Sequence, residues 1–192
     1  MKLCIKNIAT IKSGITLRSK LETSPDSNVA MIQLRNLSSD YESINYDALD
    51  RVKPSFVPEK YYLNGNEILF VAKGSRNRAF VVDKSSMLNL AASATFFILE
   101  PDLDILIPEF LAWSLNQPTA QSYFDSIRTG TSTQNINKKA LADMELDIPA
   151  IEKQKHIVHV AQLFRNELRL REKLMEKRTA YITAILNQYS HE

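Results

Sequence analysis

Residues 149–158 read PAIEKQKHIV, and they open a run without glycine or proline that continues to Tyr189. Pro149 suits the first turn of a helix, because the N–H that proline lacks would have no partner there. Most residues that follow are good helix formers. The run therefore predicts one long helix of roughly 38 residues. At a rise of 1.5 Å per residue it would be about 57 Å long.

Apolar side chains recur along this helix at spacings of three, four and seven residues, which is typical of one helical stripe. The stripe consists of Ile157, Ala161, Phe164, Leu168, Met175, Ile182, Ile185 and Tyr189. A second apolar edge consists of Val160, Leu163, Leu170, Leu174 and Tyr181. Packing of the helix on its own domain is one reading. We favour pairing with a second helix, because a rod this long cannot cover its whole stripe on one small domain. The stripe from Ile157 to Ile185 is the predicted dimer interface.

Composition bounds the rest of the chain. The 192 residues are 44% hydrophobic and 24% charged, with a net charge of +2, as expected for a soluble globular protein. We predict a domain at 1–149 and a helical appendage at 150–192. Cys4 is the only cysteine, which excludes an internal disulfide and suits a reducing cytosol. No run approaches the roughly 20 apolar residues of a membrane span, so we expect a cytoplasmic protein.

Short apolar segments precede a late cluster of helices, a pattern that predicts an α+β fold with mixed sheets. Residues 2–12 are interpreted as a short helix feeding a strand. The predicted strands lie at 29–35, 67–72, 79–82, 93–99 and 144–148. The predicted shorter helices lie at 108–115, 118–127 and 137–142, the first two opened by prolines and the third capped by Asn137.

No motif for catalysis is evident. The chain has four glycines, too widely spaced for a dinucleotide fingerprint or a phosphate-binding loop. No Gly-x-Ser-x-Gly elbow and no Glu-x-Lys occur. His156 and His159 lie one turn apart on the long helix without an acidic ligand in register, which favours an ordinary helix face over a metal site. We predict no catalytic residue, no metal and no cofactor.

Positive charge collects in three windows that contain no acid, residues 1–21, 71–82 and 126–142. Such windows on one face of a protein are suited to phosphate contact. Polar loops at 73–78 and 129–135 add donors that can reach base edges, although each loop alone is also compatible with ordinary solvated turns. The predicted DNA-binding residues are Lys12, Thr16, Lys73, Ser75, Arg76, Asn77, Arg78, Arg128, Thr131, Ser132, Thr133, Gln134 and Asn135.

Several segments in order resemble the specificity subunits of Type I restriction-modification systems. They read IKSGIT at 11–16, IQLRNL at 32–37, LNGNEILFVAKG at 63–74 and GTSTQNI at 130–136. The C-terminal part adds Ile148-Pro149 and EKQKHIV at 152–158. Two departures are that the family usually has Asp where Asn66 or Glu67 stands, and a longer proline-rich stretch at Pro149.

This resemblance implies a non-catalytic subunit that binds double-stranded DNA. It would direct separate methyltransferase subunits, and through them a restriction subunit, to a split DNA site. Family members carry two target-recognition domains and two long helices, whereas this chain has one of each, so the resemblance implies a half-length form. A homodimer would restore the two-domain arrangement with two-fold symmetry and would read a palindromic split site.

Two rival interpretations remain open from the sequence. The first is a coiled-coil scaffold that binds a protein partner and no DNA. The second is a free-standing nuclease or methyltransferase, which the missing motifs disfavour.

Overall fold

The computed structural model describes residues 1–16, 22–38, 41, 43–82, 88–128 and 135–189. The chain divides into two compact units, Met1–Gln154 and Lys155–Glu192. The first unit contains the sheets and the shorter helices, and the second continues the long C-terminal helix. Across the described ranges, no helix combines the length and the hydropathy that a membrane span requires.

The strands alternate with short 3₁₀ turns before the helices begin. The strands are β1 (Lys2–Cys4), β2 (Ala9–Ser13), β3 (Val29–Ile32), β4 (Asp50–Arg51), β5 (Ile68–Val71), β6 (Ala79–Val81), β7 (Asn89–Ala92), β8 (Phe96–Pro101) and β9 (Glu145–Asp147). The helices are α1 (Pro108–Leu115), α2 (Pro118–Ile127), α3 (Lys138–Asp143) and α4 (Ile151–Tyr189).

The strands form three small sheets of different kinds. An antiparallel sheet has the order β2-β8-β5-β6, and β1 pairs with β9 in a separate antiparallel ribbon. In the third sheet, β3 lies between β4, which is antiparallel to it, and β7, which is parallel to it. The α+β class with mixed sheets is therefore confirmed.

Strand β3 is buried on both faces, and its side chains alternate between two apolar clusters. Ala30 and Ile32 belong to a cluster shared with β5, β7 and β8, whereas Val29 and Met31 belong to a second cluster with Val52. This alternation follows from the two-residue period of a strand. A strand buried on both sides shows a continuous apolar run, which is why the segment could be recognised from sequence.

Helices α1 and α2 cover the β5–β6 side of the antiparallel sheet. The Phe124 ring of α2 lies 4.9 Å from the Phe70 ring of β5, centroid to centroid, and both side chains are fully buried. Such tilted aromatic pairs add to the burial of apolar area. Both helices begin at the predicted prolines, and Asn137 caps α3 by accepting a hydrogen bond from the Ala140 N–H at 2.7 Å.

A buried carboxylate shapes the turn that leads into β5. Glu67, which is almost fully buried, accepts hydrogen bonds from the N–H groups of Asn64, Gly65 and Asn66 at 2.8–3.1 Å. Gly65 has a φ of 85°, a conformation that favours glycine. The Glu67 carboxylate therefore pairs three backbone N–H groups that point into the turn. These hydrogen bonds fix the residue at which β5 begins.

The predicted strand over 93–99 is wrong at its first residues. The chain leaves β7 at Ala92, turns through residues 93–95, and enters β8 at Phe96. The N–H of Phe96 donates to the Ser93 carbonyl at 3.0 Å, which closes the turn. Strand β7 was missed because its core-facing residues are mostly small alanines, which give a weak apolar signal.

Helix α4 spans 39 residues, and its apolar stripe is largely exposed to solvent. The relative solvent-accessible surface of Phe164, Leu168 and Ile182 is 59%, 47% and 55%. On the second edge, Leu163, Leu170, Leu174 and Tyr181 are exposed as well. So many large apolar side chains exposed on one helix face favour an interaction site.

Gln154 anchors the first turn of α4 within the first unit. Its side chain is fully buried. The Nε2 atom donates to the carbonyls of Ile105 and Pro149 at 2.8 and 2.9 Å, and the Oε1 atom accepts from the Ile107 N–H at 2.9 Å. One amide thus satisfies backbone groups of two loop segments.

We expect Gln154→Leu to destabilise the first unit by about 2 kcal/mol, because three backbone groups would lose the buried amide that pairs them. The measurement is urea unfolding followed by circular dichroism. Lys153→Leu is the matched control, because Lys153 is exposed and its substitution leaves those groups paired. Equal midpoints for the two variants would contradict this role of Gln154.

Candidate nucleic-acid interface

The turn at residues 93–95 brings two of the three basic windows together. On one side, the Ala94 N–H donates to the Ile15 carbonyl and the Ile15 N–H donates to the Ala92 carbonyl, both at 2.8 Å. On the other side, the Thr95 carbonyl accepts from the N–H groups of Ala72 and Lys73 at 2.9 and 3.2 Å. The segments that carry Thr16 and Lys73 are therefore held to one turn.

The third basic window joins the same region at Asn135 and Ile136. Asn135 forms an antiparallel bridge with Lys73. Next to it, the Ile136 N–H donates to the Ala72 carbonyl at 2.9 Å. Asn135 and Lys73, which were predicted on separate loops, are therefore neighbours.

The loop between β5 and β6 carries the exposed cations of this region. The Val71 N–H donates to the Arg78 carbonyl at 2.8 Å, which closes the loop. Lys73, Ser75 and Arg76 are exposed, and Arg78 is partly buried with its Nη1 atom 3.4 Å from the Asn116 carbonyl. Thr16 is exposed as well. Exposed ammonium, guanidinium and hydroxyl donors on one region suit contact with phosphates and base edges.

Asn77 is an exception to the predicted set. Its side chain is fully buried, with Nδ2 donating to the Val71 carbonyl at 2.7 Å and Oδ1 accepting from the Arg128 Nε atom at 2.8 Å. Both ends of the amide are engaged inside the protein, so we withdraw the prediction that Asn77 contacts DNA. Asn77 lies within a polar segment of the sequence, and the sequence alone did not indicate that the loop would fold around this side chain.

Arg128 is also directed inward. Its side chain keeps 17% of its exposure, and its Nη1 atom pairs with the Asp125 carboxylate at 2.9 Å in addition to the contact with Asn77. The guanidinium is thus held by α2 and by the β5–β6 loop. This geometry favours a structural role over the predicted DNA contact.

Two amide side chains that the sequence analysis missed complete the region. Asn116 meets the backbone of Ala79 with two hydrogen bonds, accepting from its N–H at 2.9 Å and donating to its carbonyl at 2.8 Å. Gln121 donates from Nε2 to the carbonyls of Asn77 and Leu115, both at 2.8 Å. No sequence pattern marks these residues, because their partners lie far away along the chain.

Lys12 is paired on the sheet. It lies on β2 opposite Ile98, and its ammonium group forms a salt bridge with the Glu100 carboxylate. Because both side chains are more than a third exposed, this surface pair is weak, and Lys12 remains a predicted DNA contact.

Lys6, in the same basic window, pairs with Asp143 at 2.7 Å. The hydrogen bond from Lys6 lowers the pKa of the Asp143 carboxyl, and the same contact raises the pKa of Lys6. Nearby, burial raises the pKa of the Tyr123 phenol, whose hydroxyl donates to the Ala140 carbonyl at 2.9 Å. These contacts hold α3 in place, and the first window presents less positive charge than its composition indicated.

Four of the predicted residues, Thr131, Ser132, Thr133 and Gln134, lie outside the described residues. The described part of the chain contains no group of three histidine, cysteine or acidic side chains close enough to bind a metal ion.

Comparison with models of protein families identifies one family. The family model described as the Type I restriction modification DNA specificity domain matches residues 1–177. No curated protein sequence matches the chain.

Three solved structures share the fold. The S subunit of the Type-I restriction-modification system from M. genitalium is 19% identical, with a TM-score of 0.61 over 88% of this chain and 40% of that one. The HsdS subunit from Thermoanaerobacter tengcongensis is 14% identical, with a TM-score of 0.67 over 91% and 44%. A structure described as showing complex assembly and conformational transition of the type I R-M system is also 14% identical, with a TM-score of 0.70 over 96% and 43%.

This chain spans less than half the length of each of these structures. At these identities the likeness establishes the fold. The family model, in contrast, covers most of the chain, from the first strand into the long helix. The chain therefore belongs to the family of Type I restriction modification DNA specificity domains.

Proposed function

We propose that this protein is the sequence-recognition component of a Type I restriction-modification system. It would bind double-stranded DNA and direct a separate methyltransferase, and through it a restriction subunit, to a split site. The observation that carries the proposal is the convergence of Thr16, Lys73 and Asn135 on one region, in a chain that belongs to this family.

The DNA-contacting face would comprise exposed and partly buried side chains around the turn at residues 93–95. Lys73 and Arg76 would supply charge for phosphates. Ser75, Arg78 and the amide nitrogen of Asn135, whose Oδ1 atom is buried, would supply donors for base edges. Thr131 to Gln134, which follow Arg128, stay in the proposal as predicted contacts. The chemistry of methylation and cleavage would belong to the partner subunits, with no catalysis by this chain.

We further propose that α4 pairs with the α4 of a second copy. Its apolar stripe from Ile157 to Ile185, whose large side chains between Phe164 and Ile182 are exposed, is of the kind that two helices bury against each other. Two identical readers related by a two-fold axis would require identical half-sites, separated by a spacer that neither reader contacts. The proposal thus predicts a palindromic split site.

We expect Lys73→Ala and Arg76→Ala each to weaken DNA binding and to lower the slope of log affinity against log salt by about 1. The physical reason is the loss of one released counterion per phosphate contact. Fluorescence anisotropy with labelled duplex DNA over a salt series measures this, with and without a Type I modification subunit. Lys53→Ala is the control, because Lys53 carries the same charge, pairs with Glu22 and is not among the predicted DNA contacts.

A wild-type protein whose DNA binding is absent or independent of salt would contradict the proposal and would favour a scaffold that binds only proteins. If both variants keep the wild-type slope of log affinity against log salt, Lys73 and Arg76 do not contact phosphates.

A further inference from the structure

Two separate contacts fasten the β5–β6 loop to the third basic window. At one end, the Arg128 Nε atom donates to the Asn77 Oδ1 atom at 2.8 Å. At the other end, Asn135 bridges to Lys73. The residues on either side of 129–134 are thus both attached to the same short loop, although they come from a distant part of the chain.

Asn77 connects three parts of the fold. Its Nδ2 atom donates to the Val71 carbonyl at the end of β5. Its Oδ1 atom accepts from Arg128, and its own carbonyl accepts from the Gln121 Nε2 atom at 2.8 Å. Gln121 lies in the first turn of α2, and Arg128 is its C-cap residue. The loop is therefore fixed to α2 by a side-chain contact and a backbone contact at one buried residue.

The guanidinium of Arg128 is itself fixed. Its Nη1 atom pairs with the Asp125 carboxylate, and its Nε atom donates to Asn77 Oδ1. The two contacts together fix the orientation of the planar guanidinium. A lysine would retain the charge but could not offer donors in this fixed fork.

We propose that Asn77, Gln121 and Arg128 are positioning residues for sequence discrimination. They do not contact DNA. They hold the exposed segment from Lys73 to Arg76 in a fixed relation to Asn135, so that base-reading groups on the two segments act as one surface. This inference rests on the proposed DNA-recognition function.

The physical reason is the difference between the two kinds of contact. A hydrogen bond to a base edge weakens steeply when donor and acceptor depart from their narrow range of distance and angle. A lysine attracted to a phosphate acts as a point charge and tolerates small displacements. Loosening the loop should therefore reduce binding to the correct sequence and leave binding to other sequences nearly unchanged.

The experiment uses the full chain together with a Type I modification subunit. Wild-type complex is first used to enrich binding sequences from a pool of duplexes with randomised positions. Affinities are then measured for the enriched duplex and for one with the same base composition in scrambled order. The ratio of the two affinities is the readout, because partial unfolding would lower both affinities by the same factor.

Arg128→Lys preserves net charge, and Gln121→Met removes an uncharged donor. We expect each to lower the affinity ratio by about tenfold, the equivalent of roughly one well-made base contact, with an unchanged salt slope. Lys73→Gln is the matched comparison, and it should lower the salt slope by about 1. If Arg128→Lys and Gln121→Met both keep the wild-type affinity ratio, the inference is wrong. The proposed DNA recognition would still stand in that case. If the wild-type complex enriches no sequence, the proposed function itself fails.

Discussion

Replacing Leu168 and Ile182 together by glutamate is expected to convert the proposed dimer to a monomer. Both side chains lie on the exposed stripe of α4. In a pair of helices, the substitutions would place uncompensated carboxylates from both copies in an apolar contact, and each such charge costs several kcal/mol. We expect the dissociation constant to rise by at least about 10⁴-fold. Sedimentation velocity measures the outcome.

Gln162→Glu with Ala180→Glu is the control for this pair. It adds the same charge to exposed positions which the helical period places on the face opposite the stripe. This control should remain dimeric. A wild-type monomer, or a dimer that persists in the Leu168/Ile182 variant, would contradict pairing through the stripe.

Gly14→Ala is expected to have the largest effect on the stability of the first unit. A Cβ atom at Gly14 would lie 2.2 Å from the Ser93 carbonyl oxygen and 2.5 Å from the Ala92 carbonyl oxygen. Both obstacles are backbone atoms, so the strand or the turn has to move. We expect a loss of about 4 kcal/mol or more, beyond the usual range for a single substitution. Thermal and urea unfolding measure the loss.

Gly74→Ala provides the comparison within the same region. Its added Cβ atom would meet the Val71 Cγ1 atom at 3.1 Å, and its next neighbour is the Tyr41 hydroxyl at 3.5 Å. These are side-chain atoms that can shift, so we expect a much smaller loss of stability. Similar losses for the two alanine variants would show that the close approach at Gly14 does not govern the stability of the β7–β8 turn.

Local patterns predicted the elements whose signals lie within the element itself. Helices α1 and α2 begin at prolines that suit a first helical turn, and α4 follows from a long run of helix formers. Strand β3 follows from a continuous apolar run. The turn at residues 93–95 could not be predicted in this way, because the partners that define it, Ile15, Ala72 and Lys73, are distant in sequence.

The candidate site was predictable in its location and less so in its individual residues. Polar and basic character identified the loop at 73–78, but it did not show that Asn77 lies in the interior while Lys73 and Arg76 face solvent. Charge counting also could not show that Lys6 and Lys12 pair with Asp143 and Glu100, which lie far along the chain. Burial and pairing are properties of the tertiary fold, so they require the structure.

The most direct test of the central claim is methylome sequencing of otherwise identical cells with and without this chain. If the protein directs a methyltransferase to a split site, a methylated motif interrupted by an unspecific spacer should be present with the chain and should disappear without it. A palindromic motif would further support two identical readers. An identical set of methylated motifs in both cells, with the modification subunit expressed, would contradict the account.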